Sequence, residues 1–167
     1  MAMKNKLDKL MDSENWKAAR KLILSELKKD PKHHWFLTRL SAMYYQERNY
    51  KKALQISRKA YSIDPKCPLV LWDLAGALDM LDREKEAIKV YRNLIKRGVD
   101  TIAFGECGEG LARARGLVAD CYYALFSCYN SLGAKKKAQT FLRKHISLRG
   151  RGCHSIYSLR NVKRKVA

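Results

Sequence analysis

Asn15-Trp16-Lys17 returns 34 residues later as Asn49-Tyr50-Lys51, and more loosely again as Arg83-Glu84-Lys85. Ala19, Ala53 and Ala87 keep the same interval, and Asp30-Pro31 returns as Asp64-Pro65. Leu37, Leu40 and Tyr44 return as Leu71, Leu74 and Leu78. A fixed period of this length means that one supersecondary unit is stacked on its own copies, because no single unit can bury its apolar face alone. Within each unit the apolar residues recur at three and four, which is a helical spacing. The chain holds only 3 Pro and 9 Gly in 167 residues, so little breaks those helices.

The residue before a proline is pushed out of the helical region, so Asp30-Pro31 and Asp64-Pro65 read as unit ends. A first helix is expected over residues 1–13. Ser13 is expected to cap a second from about Glu14 to Lys29, with Trp16, Ala19, Leu22, Ile23 and Leu27 as its apolar stripe. Helices follow at about 34–48 and 50–63, and then a pair between Pro68 and Gly98. Ala53 and Ala60 are small where two helices must approach closely.

A 34-residue pair of helices ending near a proline resembles the tetratricopeptide repeat. The resemblance implies an all-α fold, a short right-handed superhelical solenoid of antiparallel helix pairs. The organisation is a partial repeat over 1–31, repeats over 32–65 and 66–98, an insertion over 99–110 and a divergent repeat over 111–147. Ala138 stands 51 residues after Ala87, an excess of half a repeat. That excess includes the glycine-rich stretch 98–110, which does not read as helix. One long helix is expected over 111–132, a turn at Gly133, and a last helix over 135–147. Residues 148–167 form a basic tail or a capping helix, with Ile156, Leu159 and Val162 or Val166 on its apolar side. The Cys107-Gly108-Glu109-Gly110 insertion, taken with His145 and Ser155-Ile156-Tyr157, resembles a group of small bacterial tetratricopeptide-repeat proteins with no assigned activity.

The resemblance implies that the first helix of each pair lines a groove for another polypeptide. Positions i, i+3, i+7 and i+10 share a helical face. On the first full repeat that face is Trp35, Thr38, Ala42 and Tyr45, with Arg39 beside it; on the next it is Leu69, Trp72, Gly76 and Asp79. On the long helix it is Asp120, Tyr123, Ser127 and Asn130. Trp and Tyr anchor binding hot spots, and small residues leave room for a guest backbone. A clamp for a C-terminal carboxylate is disfavoured, because only Arg39 has the right charge and Asp73 and Asp79 would repel the group. The expected function is therefore a non-catalytic scaffold that holds a peptide or helix.

Charge supplies the alternative. The 35 Lys and Arg against 16 Asp and Glu give a net charge of +19. An excess of that size favours acidic partners such as nucleic acid. Lys51, Lys52, Arg58, Lys59, Lys85, Lys89, Arg92, Lys96, Lys135, Lys136, Lys137, Arg143 and Lys144 fall on the second helices, and more basic residues follow over 160–165. The resemblance puts second helices on the convex side, away from the groove. No nucleic-acid-binding signature accompanies them, and lysines on solvent faces also serve solubility. Self-association through an uncapped end is a third reading.

No apolar run nears the roughly 18 residues of a membrane span. No secretory signal is evident at the N-terminus. With an odd count of five cysteines, this points to the cytoplasm. No cofactor or metal is expected. Gly105–Gly110 lacks the lysine of a phosphate loop and carries Glu106 and Glu109. Cys107, His145, Cys153 and His154 lack a zinc-site spacing. A Cys107–His145 nucleophile pair has no orienting third group.

Overall fold

The computed structural model describes residues 2–158 and Val162; the expected contribution of Leu159, Val166 and the basic stretch at 160–165 lies outside the described residues, Val162 excepted. The chain divides into two compact units, Met1–Leu81 and Asp82–Ala167. The described residues contain helices and turns and no strand.

The first unit holds α1 (Ala2–Asp12), α2 (Trp16–Lys29), α3 (His34–Gln46), α4 (Tyr50–Ile63) and α5 (Pro68–Asp79). Successive helices pack on each other, and α3 also touches α5. Repetition reaches the level of single hydrogen bonds. Asn15 and Asn49 cap α2 and α4, each side chain accepting from the amide three residues on, Ala18 and Lys52. An N-cap acceptor satisfies one of the helix's orphan amides. The cap is therefore Asn15 and not Ser13, whose hydroxyl donates back to the Leu10 carbonyl. Glu14 and Arg48, one residue before each cap, have φ of 55° and 59°. Asp64 Oδ1 accepts from the amides of Lys66 and Cys67, which turns the chain into α5, where Pro68 takes a first-turn position that needs no donor.

α3 and α4 are locked by small polar residues. Ser41 Oγ lies 2.7 Å from Ser57 Oγ, and both hydroxyls donate to the Ala53 carbonyl. Ala53 and Ala60 are fully buried, so any larger side chain there would overpack the pair at a cost of about 1–3 kcal/mol. Leu7, Ile23, Phe36, Leu40 and Met43 form an apolar cluster around Ala19. Trp16 was expected in this stripe but is 41% exposed. It opens α2, and helical side chains lean toward the N-terminus, here beyond the core.

The second unit holds α6 (Glu84–Lys96), α7 (Val99–Phe104), α8 (Leu111–Ser131) and α9 (Lys135–Gly150). α6, α7 and α9 each pack on α8. The insertion, expected to be irregular, contains the short helix α7, which buries Ile102 and Ala103. α9 runs three residues beyond its expected end. Asp82 and Gly133 precede α6 and α9 with φ of 56° and 70°, the same turn that Glu14 and Arg48 make in the first unit. Tyr91, Leu94, Leu125, Leu142 and Val162 are among the buried side chains.

Candidate functional site

The face that α3 and α5 present is half-buried and aromatic. Trp35, Arg39, Ala42 and Tyr45 on α3, and Leu69, Trp72, Gly76 and Asp79 on α5, are all partly accessible. Thr38 shares this face by spacing but is 3% exposed, and its hydroxyl donates to the Trp35 carbonyl at 2.7 Å. It shapes α3 and offers no contact. Trp35 packs one side against the apolar cluster and meets Phe36 edge-on at 5.0 Å. The Arg39 guanidinium lies 5.0 Å from the Trp35 ring centroid and Lys4 Nζ 5.9 Å. Trp35 is therefore both packing and surface. The stacking also draws Arg39 onto the protein's own ring and away from the carboxylate-gripping role weighed for it.

A residue considered only for its repulsion proves central to this face. Burial pushes the Asp73 carboxyl up to about 8, opposed by the Arg39 guanidinium beside it. The Tyr45 hydroxyl is also raised, first by burial, then by Tyr50, Asp79 and Asp73. Tyr45 meets Tyr50 edge-on at 5.3 Å. The α3–α5 face thus carries Trp35, Trp72 and Tyr45 around two small residues, with an acidic end at Asp73 and Asp79 in a chain of net charge +19. Position 73 is adjacent to the i, i+3, i+7 series of Leu69, Trp72 and Gly76, which is why face-counting passes over it.

The equivalent face of α8 is arranged differently. Asp120 and Tyr123 are buried, Ser127 is half-buried and Asn130 is exposed. The chain's own tail lies across the first two. Ser155 Oγ donates to Asp120 Oδ1, and the Ile156 amide donates to the same oxygen at 3.2 Å. Tyr157 lies over Tyr123 with ring centroids 4.1 Å apart. Burial raises the Asp120 carboxyl; the Ser155 and Ile156 donors, His145 and Arg149 all oppose the shift. Tyr123 was expected to anchor a partner; at 4% exposure it is covered by the tail and also contacts Phe126 and His145.

The second helices carry the basic side chains on their exposed surfaces, as spacing predicts. On α9 they lie beside rings of α8 and α9. Lys137 Nζ lies 5.8 Å from Tyr129, and Lys144 Nζ 5.5 Å from Tyr122 and 5.6 Å from Phe141. Tyr129 and Phe141 stack with an interplanar angle of 4°.

None of the five cysteines forms a disulfide. Burial raises the Cys121 thiol well above its ordinary value, which opposes a nucleophilic thiolate. His145 is fully buried, with Nδ1 2.8 Å from the Ala119 carbonyl. His34 opens α3, with Nε2 3.6 Å from Asp64 Oδ2. Among the described residues no helix is long and apolar enough to cross a membrane.

Residues 44–104 match the family model for the tetratricopeptide repeat. No curated protein sequence matches the chain. Among solved structures, MamA (RS-1, an ArsTM double mutant) superposes with a TM-score of 0.66 at 15% identity, covering 88% of this chain and 73% of that one. MamA (MSR-1) does so with a TM-score of 0.63 at 20% identity, covering 86% and 72%. YrrB, described as a TPR protein with an unusual peptide-binding site, gives 0.51 at 17% identity over 87% and 84%. At these identities the likeness establishes the fold.

Proposed function

We propose that this chain, a tetratricopeptide-repeat protein, is a non-catalytic interaction module that binds a segment of another protein on the α3–α5 face. The supporting observation is the composition of that face. Trp35, Tyr45 and Trp72 stay half-accessible around Ala42 and Gly76, and Asp73 and Asp79 stand at one end. Large aromatics beside small residues provide apolar anchoring with room for a guest chain. Asp79 selects a guest with a Lys or Arg at that end, and Asp73 adds to that preference only as its raised carboxyl gives up its proton toward about 8. YrrB, of similar fold, carries a peptide-binding site by its own description. Five cysteines outside any disulfide suit a reducing compartment such as the cytoplasm.

A second reading rests on the α8–α9 surface, where Lys137 and Lys144 of α9 lie beside Tyr122 and Tyr129 of α8 and Phe141 of α9. Basic groups beside ring faces are what single-stranded nucleic acid uses. Those rings already carry the protein's own ammonium groups, which favours the groove reading.

Affinity capture from cell lysate, with and without nuclease and with Trp72→Ala in parallel, tests both. A discrete polypeptide retained after nuclease and lost from Trp72→Ala supports the α3–α5 face. Capture that vanishes with nuclease and is indifferent to Trp72→Ala supports α9.

A further inference from the structure

The tail is seated on one face of α8. Gly116 sits within α8, where glycine weakens a helix. A Cβ at that position would stand 3.1 Å from the His154 carbonyl oxygen, so a side chain would press on the tail's backbone. One turn further, the buried Asp120 carboxylate accepts both the Ser155 hydroxyl and the Ile156 amide. Buried carboxylates are costly unless hydrogen-bonded, and both of these donors come from the tail. Tyr123 supplies a ring for Tyr157. A small residue, a carboxylate and an aromatic at 116, 120 and 123 lie on one helical face and read a carbonyl, a hydroxyl with the following amide, and a ring.

The occupant is lightly held. Residues 153–158 form no helix or strand. Ile156 is 71% exposed, so its apolar side chain contributes nothing to the seat. The segment joins α9 through the exposed Gly150, Arg151 and Gly152, with φ of 80° at Gly152. Arg149 Nη1 donates to the Cys153 carbonyl at 2.8 Å and fixes the start of the strap. Beyond it Val162 is buried, so lifting of residues 153–158 is a local opening between two anchored ends.

We propose that the Gly116–Asp120–Tyr123 face of α8 is a binding site for a Ser-X-Tyr segment, in which X offers only its backbone amide, filled in cis by Ser155-Ile156-Tyr157 and opened to a partner segment of the same chemistry when this strap lifts. The proposal concerns α8 alone and does not depend on the α3–α5 reading. A tether this short holds the strap at an effective concentration on the order of millimolar. A free segment at micromolar concentration therefore competes poorly until the strap's own contacts are weakened.

The test uses the full chain and a fluorescent synthetic peptide of residues 151–158 carrying Cys153→Ser. In the chain, Ser155→Ala with Tyr157→Ala removes the strap's hydroxyl and ring and leaves α8 intact. Fluorescence anisotropy is expected to show this variant binding the peptide at least about tenfold more tightly than the unmodified chain. Adding Asp120→Asn to the variant is expected to abolish the gain. Equal affinity for both chains, or undiminished binding after Asp120→Asn, overturns the proposal. Hydrogen exchange on the unmodified chain gives an independent reading. The Ile156 amide should exchange well before the amides of α8 around Leu125; exchange in step with them would mark the tail as a fixed cap and overturn the strap.

Discussion

The α3–α5 face and the α8 face descend from the same spacing and reach opposite states. By repeat register, Asp120 and Tyr123 on α8 stand where Trp35 and Thr38 stand on α3. On α3 the aromatic Trp35 remains half-accessible and the small Thr38 closes on its own backbone. On α8 the pair becomes a carboxylate and a ring, and the chain's own Ser155, Ile156 and Tyr157 satisfy them. Helical spacing decides which residues share a face. Whether that face is open depends on what else in the chain finds donors, acceptors and rings there. Faces of the same register can thus stay half-accessible or be covered by the chain itself.

The contrast breaks most readily at the two aromatics. Tyr123→Ala removes a buried ring that touches Tyr157, Phe126 and His145, so a stability loss of about 3 kcal/mol is expected. Denaturant unfolding measures it, and partner capture by the α3–α5 face should persist. Trp72→Ala should do the reverse. Hot-spot truncation costs about 2 kcal/mol of affinity, or some thirtyfold, with far-UV dichroism unchanged. If both variants lose stability alike and neither alters capture, the two faces are equally structural and the distinction falls.

pH sharpens the comparison within the first unit. The Asp73 carboxyl is raised in the folded state to about 8 from 3.8. The folded chain therefore holds a proton that the unfolded chain releases near pH 4. Stability is fully present below the unfolded value and falls as pH rises toward about 8. The slope from this group is at most about 1.4 kcal/mol per pH unit, and Asp73→Asn should flatten it. Thermal melts of the two chains from pH 5 to 8 test this; parallel curves would show that Asp73 titrates normally. Over the same range the deprotonating face should gain affinity for a basic peptide.

The sequence conveyed the repeat because the repeat is made of local rules: alanines where helices touch, prolines where they stop, helical spacing between. It conveyed the ranges of α4 and α8 almost to the residue for that reason. It concealed α7, because six residues between glycines carry too short a period to read. Membership of the candidate faces was legible, but occupancy was not. The burial of Tyr123 depends on Tyr157, 34 positions away, through a tail with no periodicity. The lone signal was Gly116, a glycine inside a helix with no reason of its own to be there. Asp73 was misweighed because a formal charge was assigned to a side chain whose burial and Arg39 neighbour were invisible.

The smallest effect separates the two units at their shared turn. Glu14 and Arg48 in the first, and Asp82 and Gly133 in the second, all adopt φ between 55° and 70° just before a helix. Backbone bonds define three of these turns: the Asn15 amide donates to the Leu10 carbonyl, Asn49 to Tyr44 and Ala134 to Tyr129. A side chain in the left-handed region costs about 1 kcal/mol. The first unit offsets that strain with the Asn15 and Asn49 side-chain caps, whereas Ala134 caps α9 with no side-chain bond. Gly133→Ala should therefore destabilise by about 1 kcal/mol, because strain would be added where no cap compensates. Arg48→Gly should relieve strain on the folded chain while loosening the unfolded one, for a net change within about 0.5 kcal/mol. Chemical denaturation of both variants decides the matter. A loss at Gly133 no larger than the change at Arg48 would show that the turn's backbone bonds alone carry it, and that the asparagine caps are dispensable.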